Sequence, residues 1–597
     1  MNWERTHYCG DLRTEHVGCD VVLMGWSQTR RDHGGVIFVD LRDYTGLSQV
    51  VFKKEISMEA HQAGDAIRSE YVIAVRGRVD HRLEGNVNPK LPTGEVEVLV
   101  EQLELLNSSE TPPFVLEERE NVDEKIRLKY RFLELRHPVL QRSLMIRSRA
   151  MQLVRNFFAE ERFFEVETPI LTKSTPEGAR DYLVPSRMSP GMFYALPQSP
   201  QLFKQLLMIS GYDRYMQIAR CFRDEDLRGN RQPEFTQIDL ELSFTRPEEI
   251  YGLVEGLMVH LFGELLEMVV PVPFQRMSFQ DAMDQYGSDA PDTRFELKLI
   301  DISDIARNCG LRVFSEVVSK GGIVKAIRVP RGSDLSRKAL DDLTEYAAIY
   351  GAKGMAWIKR NPEGWQSPIA KFFSEEHQAA LDERTSMDVG DLVLFCADQP
   401  KVVHDTLGNL RREIARQRGL IPENEFRFVW VTDFPLFEYS EAERRYVSSH
   451  HPFTMPNLED MEQSGTENLD RIRSRAYDIT LNGVEIGGGS MRIHRREIQD
   501  RVFRLLKISE EEIESKFGFL MNALSYGAPP HGGIALGFDR IMMFLLQTES
   551  IRDVIAFPKT QKGQCLVTET PSSVGSSQLN ELHIELSELV EGALGND

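Results

Sequence analysis

Asp478 and Glu485 flank an Asn482-Gly483 dipeptide in YDITLNGVEIGGGSMRI, Tyr477 to Ile493. Asn-Gly is a strong signal for a two-residue hairpin turn. That register sets Leu481 opposite Val484 and Asp478 opposite Gly487. Both carboxylates then share one face as diagonal neighbours with Cβ atoms about 7 Å apart. At that spacing they can share a Mg²⁺ that also holds phosphate oxygens. The three glycines after Ile486 let a ligand approach the backbone, and Arg492 comes just beyond them. Taken alone, the segment also reads as a plain hairpin with exposed carboxylates.

A second polar row lies in FTQIDLE, Phe235 to Glu241, downstream of RYMQIARCFRDED and the turn LRGNRQP. Period-2 alternation puts Gln237, Asp239 and Glu241 on one face, opposite Ile238 and Leu240. A polar row inside an apolar sheet costs stability unless it binds something, the alternative being a solvated face. Arg223 and Glu225 just before it suit phosphate and amine recognition. GGIALGFDR, Gly532 to Arg540, is a glycine-punctuated strand running into the helix RIMMFLLQT. Its small residues leave a flat surface for a planar base, and Arg540 near a helix start adds charge for phosphate. QSPQLFKQLL reads as a helix capped by Ser199 with Pro200 first, projecting Gln201 and Lys204 one turn in. TPEGARDY has the composition of a mobile loop carrying Glu177. No GxxxxGK[ST] loop occurs and no GxGxxG comes after a strand, so neither a P-loop nor a Rossmann site is supported.

These groups need a scaffold of several parts. A chain of 597 residues exceeds a single core and implies several domains. From Cys19 to about Leu106, the segments VVLMGWS, GVIFVDLRD, LSQVVF, YVIAVRGRV and GEVEVLVEQLELL read as about five strands, enough for a small closed barrel. A linker with Pro112 and Pro113 comes next. RSRAMQLVRNFFAEERFF then places Ala150, Leu153, Val154, Phe157 and Phe158 at helical spacing, a long amphipathic helix leading into EVETPIL. Residues 288–428 carry their own strand and helix signals but few such constellations, as an inserted domain would. The tail after Ser572 reads as one amphipathic helix. The net charge of -21 argues against a protein that coats nucleic acid, so any such contact must be local. No apolar run is long enough to span a bilayer and the start lacks a secretory stretch, which places the chain in the cytoplasm. The six cysteines are scattered and read as free thiols.

Taken in order, EVETPIL with Pro169, FRDED with its loop and strand, and GFDR resemble the three defining motifs of class II aminoacyl-tRNA synthetases. Over essentially its whole length the chain resembles the bacterial-type aspartyl branch of that class. The resemblance implies an α+β multidomain protein: an OB-fold anticodon-binding barrel at 1–108, a hinge at 109–140, and an antiparallel-sheet catalytic domain split into 141–287 and 429–560. A GAD-type α/β domain is inserted at 288–428, and a C-terminal extension covers 561–597. It implies ATP-dependent attachment of L-aspartate to tRNA(Asp), and also to tRNA(Asn), through aspartyl adenylate with Mg²⁺, by a cytoplasmic homodimer whose first motif forms the interface. A functional link to an amidotransferase acting on Asp-tRNA(Asn) goes with the second substrate.

By the same resemblance Arg223 contacts the α-phosphate and the aspartate α-carboxylate, Glu225 and Gln232 hold the adenosine, and Arg540 clamps the γ-phosphate. Arg223, Glu225 and Arg540 are the catalytic set. Asp224, Gly537, Phe538 and Asp539 complete the ATP site with Glu485, which also binds magnesium with Asp478. Lys204 and Arg492 pair with the aspartate side chain, Glu177, Ser199, Gln201 and Asp239 hold its ammonium, and His450 of HHPFT completes the pocket. In the barrel, Arg31, Phe38, Gln49 and Arg82 match anticodon-contacting positions, a mode suited to unstacked bases. Thr29 stands where many relatives carry a basic residue. His33 and Gly85 resemble the pair found in members that accept both tRNAs. A strictly discriminating aspartyl form is the alternative, and the asparaginyl and lysyl branches share the barrel and the motifs. Lysine, however, would need acidic partners where Arg492 stands, and the asparaginyl branch normally lacks the long insert. A paralogue that only binds RNA is a rival of another kind, against which the full set of charged groups speaks.

Overall fold

Strict alternation along five strands builds a barrel at the N-terminus. In the computed structural model, which describes residues 3–175, 178–227, 230–441, 443–465 and 468–587, the strands are Asp20–His33, Val36–Asp43, Gly46–Phe52, Val72–His81 and Val96–Asn107. They close with the fifth between the third and the fourth. Every second residue points inward: Val21, Leu23, Ile37, Val39, Leu41, Val50, Phe52, Ile73, Val75, Val96, Val98 and Val100 form one core. The expected barrel of about five strands is therefore present.

The chain separates into two compact units. Met1–Arg149 with Leu227–Gln232 and Thr548–Val574 form one, and Ala150–Asp226 with Pro233–Gln547 and Gly575–Asp597 form the other. Within the first, charge anchors the segment after the barrel. Glu134, completely buried, accepts from Arg119 (3.2 Å), Arg127 (2.8 Å) and Arg131 (2.6 Å). Arg131 turns its other donors to the carbonyls of Arg552, Ile555 and Ala556. Burial pushes the Glu134 carboxyl up, but the guanidinium groups of Arg131 and then Arg127 hold it below its ordinary value. Glu70 joins Arg42 (2.7 Å) to Arg136 (2.7 Å) in the same way.

In the second unit an eight-stranded sheet runs Gln275–Ser278, Phe428–Thr432, Ala476–Leu481, Val484–Met491, His531–Gly537, Glu234–Ser243, Arg214–Phe222, Phe164–Glu165. It is antiparallel except for the outermost pair at each edge. A second sheet of five strands lies between Ser278 and Phe428 in sequence. Its strand Leu392–Asp398 shows why both faces are covered. Leu392, Leu394 and Cys396 join the core with helices Arg337–Ile349 and Pro400–Gln417, while Val393 and Phe395 join Phe314 and Leu381 on the other side.

Four local expectations need correction. The long helix begins at Pro138 rather than near Arg147 and runs to Glu160. The helix bearing Lys204 begins at Gln201, and Ser199 Oγ accepts from Gln201 N–H (3.3 Å) one position earlier than a regular cap would. A β-bulge interrupts the Asp478 hairpin, so Asp478 faces Gly488 rather than Gly487. Among its described residues, which end at 587, the tail forms the short helix Ser576–Glu581.

Replacing Glu134 by Ala leaves three arginines converging on a buried void. It is expected to cost about 3 kcal/mol. Thermal unfolding of the full chain checks this, and an unchanged midpoint would mean that the arginines re-solvate freely.

Candidate active site

Four charges are buried at the centre of the large sheet. Lys204 Nζ lies 3.0 Å from Asp239 Oδ1 and 3.2 Å from Glu241 Oε2. Arg492 meets Glu241 side-on, Nε to Oε1 at 2.9 Å and Nη2 to Oε2 at 3.1 Å. Its Nη1 donates to Ser490 Oγ (2.6 Å) and reaches His451 Nε2 (2.9 Å). Asp239 and Glu241 share the face that period-2 alternation assigned to them, and the solvated-face alternative is excluded because both are wholly buried. Room for Glu241 comes from its cross-strand partner Gly533, where a Cβ would stand 2.1 Å from Glu241 Oε2. Burial pushes Asp239 up to about 6, with Lys204 opposing and Glu241 adding to the rise. Burial also raises Glu241, but Arg492 and then Lys204 outweigh it and leave the carboxyl below its ordinary value. Burial and Arg492 push His451 well down, so its neutral ring accepts from Arg492.

The cluster is closed in charge but open in hydrogen bonds. Asp239 Oδ2 and Gln201 Nε2 are buried without a partner, one acceptor and one donor. Such groups are costly unless a ligand or water satisfies them. Beyond them, Gln198 grips the chain after the expected closing loop, donating to Ala179 O (2.8 Å) and Asp181 Oδ1 (2.5 Å). Glu177 itself lies outside the described residues.

On the same sheet the bulged hairpin brings Asp478 and Glu485 together. A Cβ on Gly488 would stand 2.7 Å from Asp478 Oδ1 and 3.6 Å from Glu485 Oε1, so both carboxylates converge above that glycine. Asp478 Oδ1 is buried without a hydrogen-bond partner, and burial pushes the carboxyl up to about 6. His450 Nε2 sits 3.5 Å away. Burial lowers His450, but the charge of Asp478 beside it, with Glu485 and Asp289, prevails and raises it. Among the described residues no group of three or more His, Cys, Asp or Glu side chains forms a metal cage. Two converging carboxylates with an orphaned oxygen fit Mg²⁺, which is commonly held by one or two carboxylates together with water and substrate phosphates.

Arg540 Nη1 donates to Glu485 O (2.6 Å) and lies 3.5 Å from Glu485 Oε2. Its helix begins at Phe538, earlier than the sequence implied. Phe538 is wholly buried, and Asp539 accepts from Thr236 N–H (2.9 Å), so both serve the strand–helix junction after Gly537. Arg223 lies over the Phe235 ring (5.1 Å), and Asp224 bridges to Arg180. Glu225 is half-buried nearby in sequence. Gln232 belongs to the first unit, where its side chain clasps both backbone groups of Lys559 at 2.7 and 3.0 Å.

The model of the tRNA synthetases class II (D, K and N) matches residues 123–561. The chain belongs to this family. The OB-fold nucleic acid binding domain matches residues 21–106 of the same class II synthetase. It is 56% identical over 98% of its length to an aspartate–tRNA(Asp/Asn) ligase from Desulfatibacillum aliphaticivorans, of which 98% is covered. It is also 56% identical to one from Oleidesulfovibrio alaskensis, over 99% of this chain and 96% of that one. Asparaginyl-tRNA synthetase from Pyrococcus horikoshii, complexed with asparaginyl-adenylate, shares the fold at a TM-score of 0.57 and 20% identity, covering 93% of this chain and 98% of that one.

The synthetase's barrel gathers its candidate residues on one outer face. Arg31 and Phe38 are cross-strand partners, as are Asp40 and Gln49. Arg31 Nη2 holds Asp40 through both oxygens (2.9 and 3.0 Å), and Gln49 donates to Glu97 (3.0 Å). Arg82 Nε donates to Val96 O, while its Nη2 is buried without a partner. His33 meets the edge of the Phe38 ring at 5.9 Å. Gly85 has φ +90° with open space around it.

Sequence reasoning missed Glu241 as the group that orients Arg492, though alternation had already put it on the right face. It also chose His450 for the amino-acid pocket, whereas His451 touches Arg492 and His450 faces Asp478; two adjacent histidines carry no signal of which points where. Glu97 was missed because its partner Gln49 comes from a distant strand.

Gly488→Ala drives a methyl group between the two carboxylates. It is expected to weaken Mn²⁺ binding in the presence of ATP by roughly tenfold or more. Electron paramagnetic resonance of the full chain checks this, and unchanged binding would place the cation elsewhere.

Proposed function

We propose that this synthetase joins L-aspartate to tRNA through aspartyl adenylate, and that it charges tRNA(Asp) and tRNA(Asn) alike. The observation that carries the reading is the buried Lys204–Asp239–Glu241–Arg492 cluster with its two open hydrogen-bonding groups. Its charges sum to zero. Arg223 adds one positive charge for the α-carboxylate and Glu177, closing over the ammonium, offsets it, so the choice rests on which side chain can set an anion against Lys204 and Arg492. Aspartate does so, whereas asparagine would leave one cation unpaired. The extensive likeness to aspartate–tRNA(Asp/Asn) ligases supports the same substrates.

In this reading Lys204 and Arg492 receive the side-chain carboxylate, and Asp239, the amide oxygen of Gln201 and Ser199 receive the ammonium, with Glu177 closing over it. Arg223 draws the α-carboxylate onto the α-phosphorus. An oxygen of that carboxylate forms the new bond, the bond to the β-phosphate oxygen breaks, and pyrophosphate leaves. The terminal adenosine hydroxyl of tRNA then attacks the acyl carbon and AMP leaves. No protein nucleophile takes part, since positioning and charge suffice. Arg540 and Glu225 hold the ends of ATP, and Mg²⁺ bound by Asp478 and Glu485 would neutralise phosphate charge. The barrel face of Arg31, Phe38, Gln49 and Arg82 reads the anticodon, with His33 beside Phe38 and the missing side chain at Gly85 relaxing the choice. A homodimer, cytoplasmic location and an amidotransferase acting on Asp-tRNA(Asn) belong to the same proposal.

Because Asp239 titrates at about 6, it must lose its proton to accept an ammonium. Aspartate affinity without ATP is therefore expected to be flat above that value and to fall by up to about tenfold per pH unit below it. Calorimetry of wild type beside Asp239→Asn checks this; a slope that persists in the variant assigns the proton to another group. For tRNA choice, labelled aspartate is offered with each transcript. Comparable charging of both by wild type, with tRNA(Asn) selectively lost in His33→Leu, is expected. Charging of tRNA(Asp) alone would keep the synthetase and remove the relaxed choice.

A further inference from the structure

Both linkers of the inserted five-stranded domain arrive at one point, the Asn482–Gly483 turn of the hairpin that carries Asp478 and Glu485. The outgoing linker is tied by Asn482: its Nδ2 donates to Glu425 O (2.8 Å), its Oδ1 accepts from Arg427 N–H (2.8 Å), and its own N–H donates to Arg427 O (3.1 Å). The incoming linker rests on Gly483, where a Cβ would stand 2.9 Å from Asp292 Cβ. Both turn residues have positive φ, +52° and +81°, as a tight primed turn requires.

The incoming linker is itself held from within the insert. Arg411 on helix Pro400–Gln417 is 1% exposed and makes no direct ion pair among the described residues, Asp292 and Glu296 acting on it only at longer range. It donates instead to the carbonyls of Asp292, Phe295, Glu296 and Leu297, at 2.9 to 3.1 Å, and lies over the rings of Tyr286 and Phe295. Arg294 pairs with Asp292 (2.7 Å). One helix turn before Arg411, Gly408 abuts the linker, since a Cβ there would stand 2.4 Å from Gly287 O. A buried guanidinium spent on backbone oxygens fixes a path of chain and contributes no ion pair in return.

The hairpin needs such support. The strand His531–Gly537 pairs with it only as far as Gly487, so Glu485 lies beyond the ladder on that side, where Arg540 holds its carbonyl. Carboxylates that share a cation must be held within about half an ångström.

We propose that the inserted domain braces this hairpin. Arg411, through residues 292–297, and Asn482, through residues 425–427, are positioning residues that keep Asp478 and Glu485 in place for a divalent cation carrying the phosphates of ATP. The inference rests on the function proposed above and gives the insert a part in it.

Asn482→Gly keeps the positive φ and cuts the side-chain tie, and Arg411→Met frees the incoming linker. Three quantities are measured on full-length protein: hydrogen exchange across residues 476–491, Mn²⁺ binding with ATP, and the KM for aspartate in ATP–pyrophosphate exchange. Faster exchange in the hairpin and roughly tenfold weaker Mn²⁺ binding are expected, with the aspartate KM within about twofold. Unchanged exchange and Mn²⁺ binding in Asn482→Gly overturn the brace, as does an equal loss of aspartate affinity. If Arg411→Met does not fold, Asn482→Gly alone decides. Wild type that exchanges no pyrophosphate with aspartate would sink the proposed function, while the other two readouts would still test the brace.

Discussion

The large sheet is organised around the pair of contacts that Glu241 makes inside it. One carboxylate, with no exposure to solvent, holds Arg492 side-on and Lys204 end-on. Removing either cation would leave a charge in a medium that solvates it poorly, so the three must form together or not at all. They come from a helix, a strand and the chain beyond a hairpin, the last parted in sequence from the other two by the whole region of the five-stranded sheet. The cluster therefore exists only when the strands stand in their observed order, with His531–Gly537 beside Glu234–Ser243 and Gly533 leaving space for the carboxylate. The site and the topology that builds it are a single constraint.

That constraint explains which parts of the site were legible in the sequence. Alternation along Phe235–Glu241 placed Asp239 and Glu241 correctly, because a strand's side-chain period does not depend on its neighbours. The barrel was legible for the same reason, its inward Val, Ile and Leu residues falling on every second position. Partners were not legible. Nothing in HHPFT distinguishes His451 beside Arg492 from His450 beside Asp478, since the choice is made by the loop's path. Likewise Gln49 and Glu97 meet only because the third and fifth strands are neighbours in the barrel.

The inserted region looked poor in functional residues for a related reason. Its notable polar groups act on backbone and on other elements instead of on a cavity. Arg411 grips carbonyls, and Lys325, buried on strand Ile323–Val329, holds Asp284 (2.7 Å) of the helix that leads into the insert. An arginine in an amphipathic helix reads as solvated by default. Only the folded chain shows that it is spent on fixing a neighbouring segment.

The run Gly487–Gly489 shows how far a local irregularity can decide a site. A strand of regular register would turn Gly487 toward Asp478, and one glycine there would suffice. The bulge moves the register by one residue and thereby exchanges the faces. Gly488 now lies beneath the two carboxylates, while a Cβ on Gly487 would meet Leu536 at 2.5 Å and one on Gly489 would meet Tyr477 at 2.8 Å. Each of the three is required small by a different neighbour, one by the candidate cation site and two by the sheet's own packing. The triple glycine that the sequence offered as room for a ligand is therefore mostly room for the protein, and only its middle residue faces the chemistry.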